Sequence, residues 1–208
     1  TLVERGALHS AEAALAMTMP AVRRAAFVAG RVALRAAIHA IAPGRDDVPL
    51  LLARPLLRTT RGAPTLPAGV LGSISHKRTH ALAIALVGHS GHVGVDLEER
   101  PNASDALRPS IAPRILTARE QDALSSLDPL AHRDATLLRF ALKEAVYKAI
   151  DPIVERYVRF TEVEVDVHDD GRADVRLLLP EFAQQLWHVA ARWHRDERWI
   201  VATARSRE

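Results

Sequence analysis

Short segments of alternating apolar and polar residues, joined by tight turns, constrain the fold of this chain more than any other feature. "VLGSISH" (70–76) and "THALAIALV" (79–87) are two predicted strands, and "RFTEVEVDVHDDGRADVRLLLP" (159–180) alternates on both sides of the DDG turn at 169–171. Successive side chains of a strand point to opposite faces, and an Asp-Gly turn favours a tight hairpin. The chain is therefore predicted to build antiparallel sheets.

Two long helical segments accompany these strands. "PAVRRAAFVAGRVALRAAIHAI" (20–41) carries apolar residues at helical spacing, and the Pro-Gly pair at 43–44 stops it. "ATLLRFALKEAVYKAI" (135–150) predicts a second helix. It is expected to end near the Asp-Pro pair at 151–152, because the residue before a proline disfavours helical geometry.

Local signals predict three further elements. Thr117 and Glu120 match a capping box that opens a short helix. The "HSG" turn predicts that "HVGVDLEE" (92–99) forms a hairpin with the strand before it. "EFAQQLWHVAARW" (181–193) predicts another short helix, and "RWIVATAR" (198–205) predicts the last strand.

Both halves of the chain thus combine a long helix with antiparallel strands. This pattern predicts an α/β (α+β) protein of two similar lobes, each a small, mainly antiparallel sheet packed with a long helix. The Pro-, Asn- and Ser-containing segment 101–110 predicts the boundary, with an N-terminal lobe at 1–100 and a C-terminal lobe at 101–208. No sequence repeat relates the halves, so a pseudo-two-fold relation between the lobes would be structural only.

The composition excludes several classes of function. The 208 residues include no cysteine, which excludes disulfides, thiol nucleophiles and thiolate zinc sites and is compatible with the cytoplasm. We find no apolar run of membrane-spanning length and no leader-like start, so we expect a cytoplasmic protein without membrane association. The net charge of +3 favours anionic partners only weakly, and aromatic residues at 4% give little support for nucleic-acid binding.

The segment "VGVDLE" (93–98) places two carboxylates, Asp96 and Glu98, on one face of a strand beside Gly94. Like charges this close repel each other unless a cation lies between them or one carboxylate is protonated. One interpretation is a solvated strand face. The other is a site for a hard cation such as Mg²⁺, which prefers carboxylate oxygens as ligands. The local sequence leaves both open.

In "KEAVYK" (143–148), Glu144 and Lys148 stand at positions i and i+4 and therefore share one face of the second helix. A surface ion pair explains this spacing as well as a functional pair does. Basic residues elsewhere are equally ambiguous. Arginines of the first helix either solvate it or bind an anion, and His76 either caps a strand end or binds a ligand.

Five blocks occur in a fixed order between residues 27 and 150: "FVAGRVALRAAI", "GAPTLP", "GSISHK", "VGVDLE" and "RFALKEAVYKAI". Together they resemble the 4′-phosphopantetheinyl transferases, in particular the monomeric, two-lobed type that activates enterobactin and surfactin synthetases. Each block alone is a weak signal, whereas five in order are specific. Two positions depart from the family pattern, since some members have a lysine where Ala63 stands and many have a tryptophan where Leu66 stands.

The resemblance implies transfer of 4′-phosphopantetheine from coenzyme A to a serine of an acyl or peptidyl carrier protein, with release of adenosine 3′,5′-bisphosphate. It implies a monomeric enzyme that uses Mg²⁺, or alternatively Mn²⁺, with the active site at the junction of the lobes. The alternative function is a non-catalytic coenzyme A or nucleotide-binding module. Such a module would need arginines and His76 but not three acids.

The resemblance also implies individual roles. Asp96, Glu98 and Glu144 would bind the metal, Glu144 would act as general base, and Lys148 would be a fixed cation near the phosphates and the leaving group. The residues implied as coenzyme A contacts are Arg24, Arg31, Arg35, Arg61, Ser75, His76 and Lys148.

Overall fold

The computed structural model describes residue 4 and residues 7–41, 52–100, 110–180 and 187–208. The chain divides into two compact units, Thr1–Gly91 and His92–Glu208. In each unit an antiparallel sheet is packed with a long helix, which confirms the predicted α/β (α+β) class. None of the described helices is both long enough and apolar enough to cross a membrane.

The first unit contains two helices and a hairpin: α1 (Ser10–Met17), α2 (Ala21–Ala40), β1 (Val70–Lys77) and β2 (His80–Val87). The two predicted strands form an antiparallel hairpin, with Val70 opposite Val87. Leu34 and Ile38 of α2 are fully buried in a core that includes Val70. The first predicted helix is therefore confirmed, while the Pro-Gly pair expected to stop it lies outside the described residues.

The second unit is larger. Its helices are α3 (Ala112–Ile115), α4 (Ala118–Leu124) and α5 (Pro129–Val154). Its strands are β3 (His92–Glu99), β4 (Val163–Val167), β5 (Arg172–Leu177), β6 (His188–Arg195) and β7 (Trp199–Arg207). The strands form one antiparallel sheet in the order β3-β7-β6-β5-β4. Helix α5 lies against this sheet, and residues of both form the largest core cluster.

The position of β3 corrects the sequence prediction. We expected β3 to form a hairpin with β2, but it pairs along its whole length with β7, so that Asp96 lies opposite Ala202. The unit boundary accordingly falls after Gly91 rather than after residue 100, and the acidic strand belongs to the second unit. A turn signal shows only that the chain bends, whereas the partner of β3 lies far away in the sequence. Residues 101–109 of the predicted boundary segment (101–110) lie outside the described residues.

A second correction concerns β6. The sequence predicted a helix over 181–193, but His188–Arg195 forms a strand paired with β7. Residues 181–186 of that prediction lie outside the described residues. Ala190 and Ala191 favour a helix in isolation. Strand β6 nevertheless lies between β7 and β5 in the sheet, and pairing with these two strands outweighs a helix propensity of only about 0–0.7 kcal/mol per residue.

Other local predictions hold with small shifts. The DDG turn joins β4 to β5, and Gly171 takes a φ of +83°, which glycine adopts without steric cost. The capping box of α4 is present, with the backbone N–H of Thr117 donating to Glu120 at 2.8 Å. Helix α5 runs past Pro152 to Val154, and Glu155 ends it in the left-handed conformation.

Lys143 fixes α5 to the segment around α4. Its ammonium group is fully buried and donates to Glu120 at 2.6 Å, to the carbonyl of Ile115 at 2.7 Å and to that of Phe160 at 3.1 Å. Glu120 also accepts from the backbone N–H of Val165 at 2.9 Å. Three acceptors for three N–H donors satisfy a buried charge, so Lys143 is a structural residue.

Gly94 is where β3 and α5 come closest. A Cβ atom added there would lie 1.9 Å from the carbonyl oxygen of Ala145 and 3.0 Å from the backbone nitrogen of Ala149. Both clashes are with helix backbone, which cannot rotate away as a flexible side chain can. Only glycine lets the two backbones touch at this point.

We therefore expect Gly94→Ala to lower the free energy of unfolding by about 3 kcal/mol or more, because the methyl group must push α5 off the sheet. Urea denaturation measures this directly. Gly62→Ala is the control, since a Cβ atom there meets nothing within 4 Å and only its φ of +90° opposes the substitution, at about 1–2 kcal/mol. Equal stability of the two variants would contradict the contact.

Candidate active site

Strand β3 supplies the two acids of the site. Because side chains alternate, Asp96 and Glu98 lie on the same face as Gly94, which contacts α5. Both side chains are buried, at 5% and 6% residue exposure. Burial of two carboxylates is costly unless cations or hydrogen bonds compensate, so this strand is not the solvated face that the sequence alone also allowed.

Helix α5 brings Glu144 and Lys148 to the acids of β3. The ammonium group of Lys148 donates to Oδ1 of Asp96 and to the carbonyl oxygen of Val95, both at 2.8 Å. Lys148 thus bonds both a side chain and a backbone carbonyl of strand β3. The i, i+4 spacing places Glu144 one helical turn away on the same side of α5.

The pKa of Glu144 depends on its burial and on the charges of Lys148, Asp96 and Glu98. Burial raises the pKa of its carboxyl group, Lys148 lowers it, and the charges of Asp96 and Glu98 raise it, with a net upward shift. A carboxyl group shifted in this direction holds its proton more readily than an ordinary glutamate. The structure therefore brings Asp96, Glu98, Glu144 and Lys148 into one interacting cluster.

The metal role implied for the three carboxylates needs a separate test. Among the described residues, which include all three, no group of three or more His, Cys, Asp or Glu side chains converges closely enough to hold a metal ion. Lys148 forms an ion pair with Asp96. The three carboxylates have the right chemistry for Mg²⁺, since carboxylate oxygens are its preferred protein ligands. By themselves they do not form a complete set of metal ligands.

In the first unit, Arg35 forms a buried ion pair. Its guanidinium donates to the two carboxylate oxygens of Glu12 at 3.1 and 2.6 Å, to the carbonyl of Leu52 at 2.7 Å and to that of Arg54 at 3.0 Å. These bonds occupy four of its five N–H groups. The arginine that the resemblance implied as a coenzyme A contact is thus engaged within the protein.

Arg31 is engaged in a similar way. It donates to the carbonyl oxygens of Leu56 and Leu57, and its guanidinium lies 4.4 Å from the ring centroid of Phe27. Burial lowers the pKa of Arg31 to about 10. Together with Arg35, it ties α2 to the segment that leads to β1.

Arg24 and His76 lie together on the first unit. Arg24 lines an apolar groove of about 650 Å³ between α2 and Ala81 of β2. His76 is exposed and stands directly opposite Ala81 in the hairpin, so it adjoins the groove on the same face of the sheet. Ser75 is buried on the opposite strand face, and Arg61 is exposed.

Two positioning residues were missed at the sequence level. Glu12 holds Arg35, and Ser206 of β7 donates to the carbonyl of Ala149 in α5 at 2.8 Å and accepts from the backbone N–H of His92 at 3.1 Å. An ordinary Glu in a helix and an ordinary Ser in a strand give no local signal. Only the fold shows that their partners come from distant segments.

Family models cover most of the chain. The "4′-phosphopantetheinyl transferase superfamily" model matches residues 92–204, and the "4′-phosphopantetheinyl transferase N-terminal domain" model matches residues 11–86. The two matches fall on either side of the unit boundary described above.

The individual relatives share about a third or less of their aligned residues with this chain. The chain is 34% identical over 157 residues to 4′-phosphopantetheinyl transferase Svp of Streptomyces mobaraensis, covering 74% of this chain and 59% of Svp. It is 29% identical over 168 residues to 4′-phosphopantetheinyl transferase Npt of Nocardia iowensis, covering 80% of this chain and 69% of Npt. It is 28% identical over 196 residues to enterobactin synthase component D of Salmonella typhimurium, covering 86% and 70%.

Solved structures also resemble part of the chain. A holo-(acyl-carrier-protein) synthase from Bacillus anthracis matches with a TM-score of 0.45 and 24% identity, over 57% of this chain and 96% of that one. A holo-ACP-synthase from Plasmodium yoelii matches with a TM-score of 0.47 and 16% identity, over 57% and 94%.

The raised pKa of Glu144 predicts how the metal-free protein responds to pH. A raised pKa in the folded state gives stability that is present below the unfolded pKa and is lost as the pH rises through the folded one. In EDTA, we therefore expect the melting temperature of Glu144→Gln to exceed that of the parent by a few degrees at about pH 8, with this advantage shrinking towards about pH 4.

Calorimetric melting across this range measures the trend. Glu197→Gln, at an exposed position in the loop between β6 and β7, is the matched control and should show no such trend. A Glu144→Gln advantage that is absent at high pH would contradict the upward shift of the Glu144 pKa that burial and the neighbouring acids cause.

Proposed function

The chain belongs to the 4′-phosphopantetheinyl transferase superfamily, and we propose that it transfers 4′-phosphopantetheine from coenzyme A to a serine of an apo carrier protein, releasing adenosine 3′,5′-bisphosphate. The observation that carries this proposal is the cluster of Asp96, Glu98, Glu144 and Lys148 on β3 and α5. A module that only binds coenzyme A needs no such group of coupled acids, so the cluster supports transfer over binding alone.

Asp96, Glu98 and Glu144 are the proposed ligands of Mg²⁺, or of Mn²⁺ in its place. Because these carboxylates do not close a cage by themselves, the oxygens of the coenzyme A pyrophosphate are proposed to complete the ligand set. A bound ion would supply positive charge that offsets the negative charge of the phosphoryl oxygens. The burial of Asp96 and Glu98 supports this role, since it keeps water away from the charged groups.

Glu144 is the proposed general base. Its raised pKa makes it a better proton acceptor than an ordinary glutamate, and it would take the proton of the carrier serine directly or through one water. The serine oxygen forms a bond to the β-phosphorus, and the bond from that phosphorus to the bridging oxygen breaks. Adenosine 3′,5′-bisphosphate leaves with the electron pair, and Lys148 is the proposed cation that offsets its charge.

Arg24 and His76 are the proposed anion contacts of the first unit. They flank an apolar groove, and a guanidinium binds a phosphate through two N–H groups. Arg61 and Ser75 are further proposed contacts of coenzyme A. For Arg31 and Arg35 we propose a structural role instead, because backbone carbonyls and Glu12 already take their donors.

We propose that the protein acts as a monomer in the cytoplasm, on acyl or peptidyl carrier domains. The lack of cysteine is compatible with that compartment. Fatty acid, polyketide and nonribosomal peptide synthesis all use such carriers, so a panel of apo-carriers is the appropriate substrate set.

Incubation with coenzyme A, Mg²⁺ and this panel, followed by mass spectrometry of the carriers, tests the function. We expect at least one carrier to gain the mass of phosphopantetheine. Asp96→Ala and Glu144→Ala should each slow this reaction by about a hundredfold or more, since charge stabilisation of the transition state is lost. EDTA should stop it reversibly.

Glu197→Ala is the matched control for the loss of one acid and should leave the rate unchanged. If Asp96→Ala and Glu144→Ala both retain parental rates, the proposed mechanism fails. If no carrier in the panel is modified by the parent, the proposed function fails.

The groove gives a separate prediction. Arg24→Ala and His76→Ala should each weaken coenzyme A binding about tenfold or more, because a charge-assisted contact to phosphate contributes roughly 1.5–3 kcal/mol. Calorimetric titration without a carrier measures this. Arg23→Ala, at the exposed neighbouring position of α2, is the control and should bind as the parent does. Unchanged affinity in both Arg24→Ala and His76→Ala would remove the groove from the binding site.

A further inference from the structure

Arg100, the residue that follows β3, binds the end of the acidic strand to α5. Its guanidinium donates to both carboxylate oxygens of Asp134 in α5, from Nε to Oδ1 at 2.8 Å and from Nη2 to Oδ2 at 3.2 Å. Nη1 donates to the carbonyl of Asp196, in the turn between β6 and β7, at 2.9 Å. A bidentate pair fixes orientation as well as distance, so the strand end is held against both the helix and the sheet.

Asp134 has a second partner, which lies on another strand. Arg195 of β6 donates from Nη1 to Oδ2 of Asp134 at 2.8 Å. The side chain of Asp134 is 11% exposed, and those of Arg100 and Arg195 are 32% and 42% exposed. The two arginines therefore compensate the same acid from similar positions, but only Arg100 directly extends the strand that carries Asp96 and Glu98.

Strand β3 and helix α5 are thus joined at two separated points. At the first, Gly94 lies against the backbone of Ala145 and Ala149. At the second, Arg100 binds Asp134. The two points are about 20 Å apart along the strand and about 16–22 Å apart along the helix. These spans are similar, so strand and helix run side by side, and the two points together fix the angle between them.

Glu98 is the acid whose position depends most on the second point. Asp96 lies near the first point and is bonded there by Lys148. Glu98 lies farther along the strand, about 13 Å from Gly94. A change of about 5° in the angle between strand and helix would move Glu98 by about 1 Å relative to Glu144, and a displacement of that size can lower a rate about a hundredfold.

We propose that Arg100 is a positioning residue for the transfer reaction. Through Asp134 it fixes the angle between β3 and α5, and it thereby sets the position of Glu98 relative to Glu144. In this role Arg100 acts only through other residues, so its loss changes the geometry of the acids and not their number. This inference rests on the proposed function, because it takes these acids as the reacting site.

Arg100→Met and Arg195→Met are a matched pair, since each removes one cation from Asp134. Urea denaturation should show a similar loss of stability in both. Only Arg100→Met should lower kcat for a carrier that the parent modifies, by about tenfold or more, while the KM for that carrier stays within about twofold of the parent value. Carrier mass followed over time at saturating Mg²⁺ measures both constants, and circular dichroism verifies that each variant is folded.

Metal affinity gives a readout that needs no turnover. Glu98 is a proposed ligand, so calorimetric titration with Mn²⁺ in the presence of coenzyme A should show binding about tenfold weaker in Arg100→Met than in the parent, since residues that orient metal ligands contribute about this much to affinity. Arg195→Met should bind Mn²⁺ as the parent does.

Two further variants separate geometry from charge. Arg100→Lys keeps the positive charge but cannot contact both carboxylate oxygens in the same rigid plane, so we expect intermediate losses of kcat and Mn²⁺ affinity. Arg100→Met combined with Asp134→Asn should lower kcat no more than Arg100→Met alone, because both substitutions break the same link.

Several outcomes overturn the proposal. Equal kcat and equal Mn²⁺ affinity in Arg100→Met and Arg195→Met would show that Arg100 only stabilises the fold. Parental values in Arg100→Lys would show that charge alone suffices, and an additional loss in the double variant would separate Arg100 from Asp134. A parent that modifies no carrier defeats the proposed function, and the Mn²⁺ titration then decides this inference. A parent that turns over while the matched pair behaves alike defeats this inference alone.

Discussion

The contact between the backbones of β3 and α5 is the constraint on which the second unit depends. Because Gly94 has no side chain, the strand that carries Asp96 and Glu98 lies directly against the helix that carries Glu144 and Lys148. The four side chains then need no long or flexible reach to interact. Ser206, bonded to Ala149 and His92, holds the same helix and strand together farther along.

Three cations that contact acids in this protein differ in their surroundings. Arg35 and Lys143 have nearly all their donors bonded to an acid and to backbone carbonyls, and such residues hold segments together. Lys148 has fewer partners, is partly exposed, and contacts an acid of the proposed metal site. The number of satisfied donors therefore distinguishes Arg35 and Lys143 from Lys148.

The sequence predicted the features that depend on near neighbours. The strands β1 and β2, the DDG turn and the capping box of α4 were all confirmed, since strand alternation, turn and cap chemistry act over a few residues. The pairing of β3 with β7 and the strand character of β6 were not predicted, because they depend on distant partners. The acids on β3 and α5 were found through motif order, whereas the internal bonding of Arg31 and Arg35 requires the fold.

The pairing of β3 with β7 also bears on how the protein is made. Position 96 pairs with position 202, so the acidic strand has no sheet partner until nearly all of the second unit has left the ribosome. The first unit, by contrast, is a contiguous stretch with a local hairpin, and such units fold early during synthesis. A nascent chain would therefore carry a folded first unit while β3, with its two acids, still lacks its partner β7. At this stage the unpaired edge of β3 makes the chain most prone to misassembly.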